Sequence, residues 1–241
     1  AVEAEGEDLV LTWGSTPGKR YNVRSSTDPS GAPAGWPVFE GLENLAATPG
    51  ENVLTLPRPD DRERYFVIEE FTPPPVVLFA ADLEEGAVDW TSAVNDAGGN
   101  TAWELGTPAG TTGPLTGAEG SANAWSTNLG DFGPESDISL RSPPVDLGEA
   151  AQPELMFAAF RDGDGFGDTA SVRFLRSSDQ SLLGAAVPID MTVVDNDWRT
   201  ITVDLPQEAL GEVIMIEWNF QSDAREESYS GLSIDNIKVT D

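Results

Sequence analysis

The sequence predicts an all-β protein made of two tandem β-sandwiches, a small one followed by a larger one. Three observations predict it. With 24 Gly and 18 Pro in 241 residues the chain is rich in turns, and no segment sustains a helical repeat. Short runs of alternating apolar and polar residues recur along the chain, bounded by Gly, Pro, Asn and Asp. The prolines 73, 74 and 75 interrupt this pattern once, as a stiff connector that cannot pair in a sheet. The expected units are residues 1–72 and 76–241.

In the first unit, "LVLTW" (9–13) is a strand followed by a Ser-Thr-Pro-Gly turn, and "YNVRS" (21–25) alternates cleanly. "NVLTL" (52–56) and "RYFVI" (64–68) supply two more strands, with a turn at 58–61. Trp13 and Trp36 are expected in its core. In the second unit "VVLFA" (76–80) opens the fold. The middle, 96–144, is rich in Gly, Thr, Asn and Ser and predicts long loops with short strands. Strands follow at 154–160, 170–175, 199–205, 213–220 and 232–239, with one helical turn at 206–210. Trp198 and Trp218 are expected in the core.

Charge and missing residue types bound the chemistry. The 42 acidic and 13 basic residues give a formal net charge of −29. Such a surface repels nucleic acid and anionic membranes, and suits divalent cations or saline surroundings. The absence of His and Cys removes the Ser-His-Asp triad and the usual zinc and copper ligands. Carboxylate, amide and carbonyl oxygens remain, which is the ligand set of Ca2+. No apolar run approaches the roughly 20 residues of a membrane span. The start, "AVEAEGEDLV", lacks the basic and apolar regions of a signal peptide, so none is expected there, and the chain reads as a piece of something larger.

Several motifs of the second unit occur in an order that resembles a known family. They are "FAADLEEGAVDWT" (79–91), "TAWELGTP" (101–108), "SANAWSTNLGDF" (121–132), "SLRSPPVDL" (139–147) and the closing "EWNFQSDAREESYSGLSIDNIKVTD" (217–241). Together they resemble MAM-like and concanavalin-like jelly-roll modules of secreted bacterial proteins, over residues 76–241. Gly231-Leu232-Ser233 stands where that family has Gly-Trp-Tyr. In the first unit, "LTWGSTPGKRYNVRSSTDPSGAPAGWPVF" (11–39) and "RERYFVIEE" (62–70) resemble a short fibronectin-III-like repeat, which implies a spacer.

The jelly-roll resemblance implies a structural Ca2+ shared by the first and last strands, and the matching positions are Asp82, Glu84 and Asp235. A second metal candidate is "RDGDGFGDTASVRF" (161–174), with Asp162, Asp164 and Asp168. Counted from Asp162, position six is Gly167 but position twelve is Arg173, where an EF-hand needs Glu. The stretch is therefore either a plain hairpin turn at Asp164-Gly165 or a hairpin held by calcium, and Asp223 is placed to approach one of the two metal candidates.

Trp90, Trp103 and Trp125 lie in polar loop regions, where they either stack on sugar rings or pack the loops onto the sandwich. Asn123, Asn128, Asp131 and Arg141 are the polar candidates beside them. Carboxylate pairs for glycoside hydrolysis occur by chance among 42 acids, and with three Tyr and no His the bases of lyases are scarce. The expected function is therefore a non-catalytic accessory module of a larger secreted or cell-surface protein, binding polysaccharide or a cell-surface glycan. The alternatives are a structural or adhesive module, and a fragment of a polysaccharide-degrading enzyme whose catalytic domain lies outside this chain.

Overall fold

The computed structural model describes residues 1–48, 50–225 and 228–241, so part of the insertion within the closing motif lies outside the described residues. The chain divides into two compact units, Ala1–Pro74 and Pro75–Asp241.

The first unit contains β1 (Val2–Glu5), β2 (Asp8–Ser15), β3 (Arg20–Ser26), β4 (Leu45–Ala46), β5 (Gly50–Pro57) and β6 (Tyr65–Phe71). They form two three-stranded sheets, ordered β1-β2-β5 and β4-β3-β6. Alternation sends Leu11, Val23 and Leu56 into a small shared core, against which Leu9, Trp13, Phe39, Phe66 and Ile68 pack. Trp36 is buried and lies against Tyr65, with ring centroids 6.5 Å apart. The buried Tyr21 donates its hydroxyl to Glu70 at 2.9 Å and accepts from the Thr16 backbone at 2.7 Å.

The second unit contains β7 (Val77–Ala81), β8 (Thr91–Val94), β9 (Trp103–Gly106), β10 (Ala124–Thr127), β11 (Asp137–Arg141), β12 (Val145–Asp146), β13 (Glu154–Asp162), β14 (Thr169–Arg176), β15 (Leu182–Ile189), β16 (Arg199–Asp204), β17 (Val213–Gln221) and β18 (Gly231–Thr240). One sheet runs β16-β13-β18-β10-β9, with β7 also on β18. The other runs β15-β14-β17-β11-β8, with β12 also on β17. The two sheets bury one continuous core. β17 shows how the sequence builds it: Ile214, Ile216, Trp218 and Phe220 are fully buried at alternate positions. Leu155, Phe157 and Ala159 of β13 and Ile138 and Leu140 of β11 join them. The predicted helical turn is a short 3-10 turn, Gln207–Ala209. Among the described residues no helix is long and apolar enough to cross a membrane.

One expectation is overturned. The flanking strands of residues 163–168 do not form a hairpin, because β13 pairs with β16 and β18, whereas β14 pairs with β15 and β17. The stretch is an arch that carries the chain from one sheet to the other. Strand alternation marks where a strand stops, but the choice of sheet for the next strand is settled by long-range packing.

Candidate functional site

The outward face of the second sheet carries a connected polar array. Because β17 buries its even-numbered residues, Glu217 and Asn219 point the other way. In register with them stand Arg141 and Ser139 of β11 on one side, and Arg173 and Ser171 of β14 on the other. Glu217 accepts from Arg141 Nε at 2.6 Å and from Arg173 Nη1 at 3.2 Å. Arg173 Nη2 donates to Asn219 Oδ1 at 3.1 Å, and Asn219 Nδ2 donates to Asp137 Oδ1 at 2.8 Å. Arg141 Nη1 reaches Gln180 Oε1 at 2.8 Å, and Asn95 Nδ2 reaches Asp137 Oδ1 at 3.2 Å. The Glu217 side chain is only 4% exposed beneath two guanidinium groups that are each about one-third exposed. The carboxylate fixes the arginines, and the ladder beneath fixes the carboxylate. Planar donors are thereby presented to solvent in a preset geometry.

The acidic candidates separate into three arrangements. Near the chain ends, Glu84 accepts from the Asn123 and Ala122 backbone N–H groups at 2.8 and 3.1 Å. Asp235, fully buried, accepts from Ala118 N and Ser121 Oγ at 2.8 Å each and from Asn236 N at 2.6 Å. Burial raises the Asp235 pKa, and the charge of Glu84 raises it further. Gly117 permits this tie, since a Cβ there would stand 2.8 Å from Asp235 Oδ2. Asp82 only accepts from the Glu84 backbone, at 3.3 Å. The resemblance therefore picks out two residues that lie together, Glu84 and Asp235, but both are engaged by N–H and O–H donors.

In the arch, Asp162 turns inward, away from the other two. It is 2% exposed and accepts from Thr112 Oγ1 and from Ser230 N and Oγ, the last two at 2.9 Å each. Asp164 and Asp168 instead converge with Asp223. Asp168 Oδ1 accepts from Asp223 N at 3.2 Å. Its pKa is raised, first by burial and then by the charges of Asp164 and Asp223. The close approach depends on Gly167, where a Cβ would fall 2.2 Å from Asp223 Oδ2. Arg225 Nη1 meets Asp164 at 2.8 Å, and its Nε lies 3.7 Å from Asp223. Among the described residues no group of three or more carboxylates is arranged as a ready metal cage. Both Asp164 oxygens are taken, by the Phe166 N–H and by Arg225, so the carboxylates of Asp168 and Asp223 are the ones brought together without a guanidinium between them.

The aromatic candidates pack in the core or, for Trp90, against it, which corrects the stacking alternative. Trp103 and Trp125 are 3% and 9% exposed inside the sandwich. Trp90 is partly buried and packs against Trp218 and Trp125 at centroid distances of 5.9 and 6.1 Å. Pairing of β9 with β10 directs both strand tryptophans inward, although the region around them is rich in polar residues. Asn128 and Asp131 brace loops. Asn128 accepts from Ala102 N at 2.9 Å and donates to Asp131 O at 3.0 Å, while Asp131 accepts from Thr111 N and Oγ1 at 2.7 Å each. The Asn123 amide donates to Leu83 O at 3.5 Å. Of the polar candidates only Arg141 belongs to the sheet-face array. Its partners Glu217, Asn219 and Arg173 were missed. Their signal was present in "IMIEWNF" and "SVRF", where polar residues alternate with the core. Phe166, at the apex of the arch, was also missed as an exposed aromatic.

No protein-family model matches the chain, and no curated protein is detectably similar to it. Among solved structures, it is similar to the K3 cleaved adhesin domain of Lys-gingipain from Porphyromonas gingivalis, at 16% identity over 68% of this chain and 99% of that one, with a TM-score of 0.47. It is similar to a family 11 carbohydrate-binding module from Clostridium thermocellum, in complex with a mixed-linked tetrasaccharide, at 12% identity over 68% and 95% of the two chains and a TM-score of 0.43. It is also similar to a carbohydrate-binding module of Cellvibrio mixtus lichenase 5A, in complex with cellotriose, at 14% identity over 69% and 98% and a TM-score of 0.38. At these identities and scores the likenesses assign no ligand, ion or residue role to this chain.

Proposed function

We propose that the larger unit is a non-catalytic carbohydrate-binding module of a larger extracellular or cell-surface protein, with the smaller unit as its spacer. The observation that carries this reading is the sheet-face array joining Asn95, Asp137, Asn219, Arg173, Glu217, Arg141 and Gln180. Sugar hydroxyls need donors and acceptors side by side, and a rigid ladder supplies them with little ordering cost on binding. Turnover would need a carboxyl free to give or take a proton. On this face Glu217 is clamped by two arginines and Asp137 by two amides, so both are committed to positioning. The double variant Arg141→Ala/Arg173→Ala should lose at least about tenfold in affinity, two charge-assisted hydrogen bonds being removed. Affinity electrophoresis through polysaccharide gels measures it, and unchanged retardation of the variant would remove the face from the site.

The same reading includes a structural calcium ion. Asp168 and Asp223 would hold it, bordered by the backbone carbonyls of Met191 and Thr192, which lie 3.8 and 3.6 Å from the Cβ positions of Gly163 and Gly165. Bound to the folded state alone, the ion supplies positive charge to the arch and stabilises it by mass action. Its absence has a predictable pH signature. Asp168 and Asp235 have raised folded pKa values, so protonating them favours the folded state. That stabilisation is complete below the ordinary aspartate value of about 3.9 and is lost as pH rises through the elevated folded values. Asp96, Asp179 and Asp190, held low by hydrogen bonds, contribute with the opposite sign and lose their stabilisation as pH falls through their depressed folded values. In EDTA the melting temperature should rise as pH falls through the elevated folded values of Asp168 and Asp235, and fall again below about pH 4 as the depressed carboxylates protonate. Millimolar calcium should raise it at pH 7 and flatten the first limb. An identical melt with and without calcium at pH 7 would defeat the metal reading.

A further inference from the structure

Phe166 is 80% exposed at the apex of the arch, the most exposed aromatic side chain among the described residues. Its surroundings hold it in place. The Phe166 backbone N–H donates to Asp164 Oδ1 at 2.8 Å, and the other oxygen of Asp164 takes Arg225 Nη1 at 2.8 Å. The Arg225 guanidinium in turn stands 5.4 Å from the centroid of the Phe166 ring. Gly165 turns the backbone at φ +76° against Thr192, and the next two residues, Val193 and Val194, are 37% and 61% exposed. An aromatic ring backed by a cation on one side and otherwise open to solvent offers a free, held face to an apolar ligand surface.

We infer that Phe166 is the stacking platform of a glycan subsite and that this subsite takes uncharged sugar units. The inference rests on the carbohydrate reading above and adds a residue and a substrate class to it. A pyranose offers an apolar C–H face to the ring and hydroxyls to the carboxylate and guanidinium beside it. The restriction to uncharged sugars follows from the surrounding charge. Residues 75–241 hold 29 of the 42 acidic and 7 of the 13 basic side chains. All six arginines in this span already pair with a carboxylate. Beside the arch, Arg161 and Arg225 pair with Asp195 and Asp164, whose side chains are only 3% and 7% exposed. An acidic sugar would have to draw an arginine away from such a carboxylate and leave that charge buried and unpaired, beside further carboxylates. A neutral sugar meets neither cost.

The test is affinity electrophoresis of the full chain and of Phe166→Ala and Phe166→Trp. The gels contain neutral polymers (β-glucan, galactomannan) or acidic ones (polygalacturonate, alginate). Wild type should be retarded by at least one neutral polymer and by neither acidic one, and added salt should change that retardation by less than about twofold. Phe166→Ala should lose retardation by about tenfold at an unchanged melting temperature, because the ring is exposed, whereas Phe166→Trp should keep it. Phe166→Ala retarded like wild type would overturn the platform and leave the carbohydrate reading standing. Stronger, salt-sensitive retardation by an acidic polymer would overturn the uncharged class. Retardation by no polymer would defeat the carbohydrate reading, and the subsite with it.

Discussion

Replacing Trp218 with alanine should destabilise the larger sandwich by about 4 kcal/mol, the range for emptying a fully buried aromatic site. The indole is completely buried at the centre of β17. It stacks on Trp90 at 5.9 Å and meets the edge of Phe157, from the opposite sheet, at 5.6 Å. Its strand neighbours are Leu140 and Val172, both fully buried. Leu140, Val172 and Phe157 are fixed by ladders, so these walls of the cavity resist collapse, and only Trp90, just before β8, lies outside a strand. The measurement is urea unfolding followed by near-ultraviolet circular dichroism, with the slope checked against wild type. A loss below about 1.5 kcal/mol would mean that the aromatic cluster repacks and is not rigid. Trp125→Ala belongs to the same experiment. As a core residue it should lower stability, whereas a sugar platform would lose binding at unchanged stability.

The tryptophans also show what the sequence makes legible. Trp218 sits in a nine-residue strand whose alternation declares its face, so its burial can be read directly. Trp103 and Trp125 each sit in a four-residue strand, WELG and AWST, inside a stretch rich in Gly, Thr, Asn and Ser. Four residues are too few to show a period, and only pairing with each other and with β18 turns them inward. β1 escapes reading for a related reason: its "VEAE" is exposed throughout, and only its ladder to β2 makes it a strand. The sheet-face array is half legible. Alternation assigns Glu217 and Asn219 to the outer face, but their arginine partners depend on register between strands far apart in sequence. The arch is the converse case. Its Asp and Gly content is conspicuous, yet spacing alone merges Asp162 with Asp164 and Asp168, which the fold sends in different directions.

That separation makes Asp162→Ala the second large expected effect, at about 3 kcal/mol. Asp162 is the last residue of β13, and its carboxylate is nearly inaccessible. It gathers the hydroxyl of Thr112 from a distant loop and both the amide and hydroxyl of Ser230 at the entry to β18. Alanine leaves the amide and hydroxyl of the buried Ser230 without this acceptor, and that desolvation cost exceeds the worth of the bonds themselves. Asp162→Asn keeps one acceptor oxygen and should cost roughly half as much. Calcium response separates this structural role from a ligand role. Asp162→Asn should still gain melting temperature on adding calcium, because its oxygens serve N–H and O–H donors. Asp168→Asn should lose that gain, because it removes a charge from the converging pair of Asp168 and Asp223. If Asp162→Asn abolishes the calcium response while Asp168→Asn preserves it, the ion belongs at the inward end of the arch and Asp162 is a ligand.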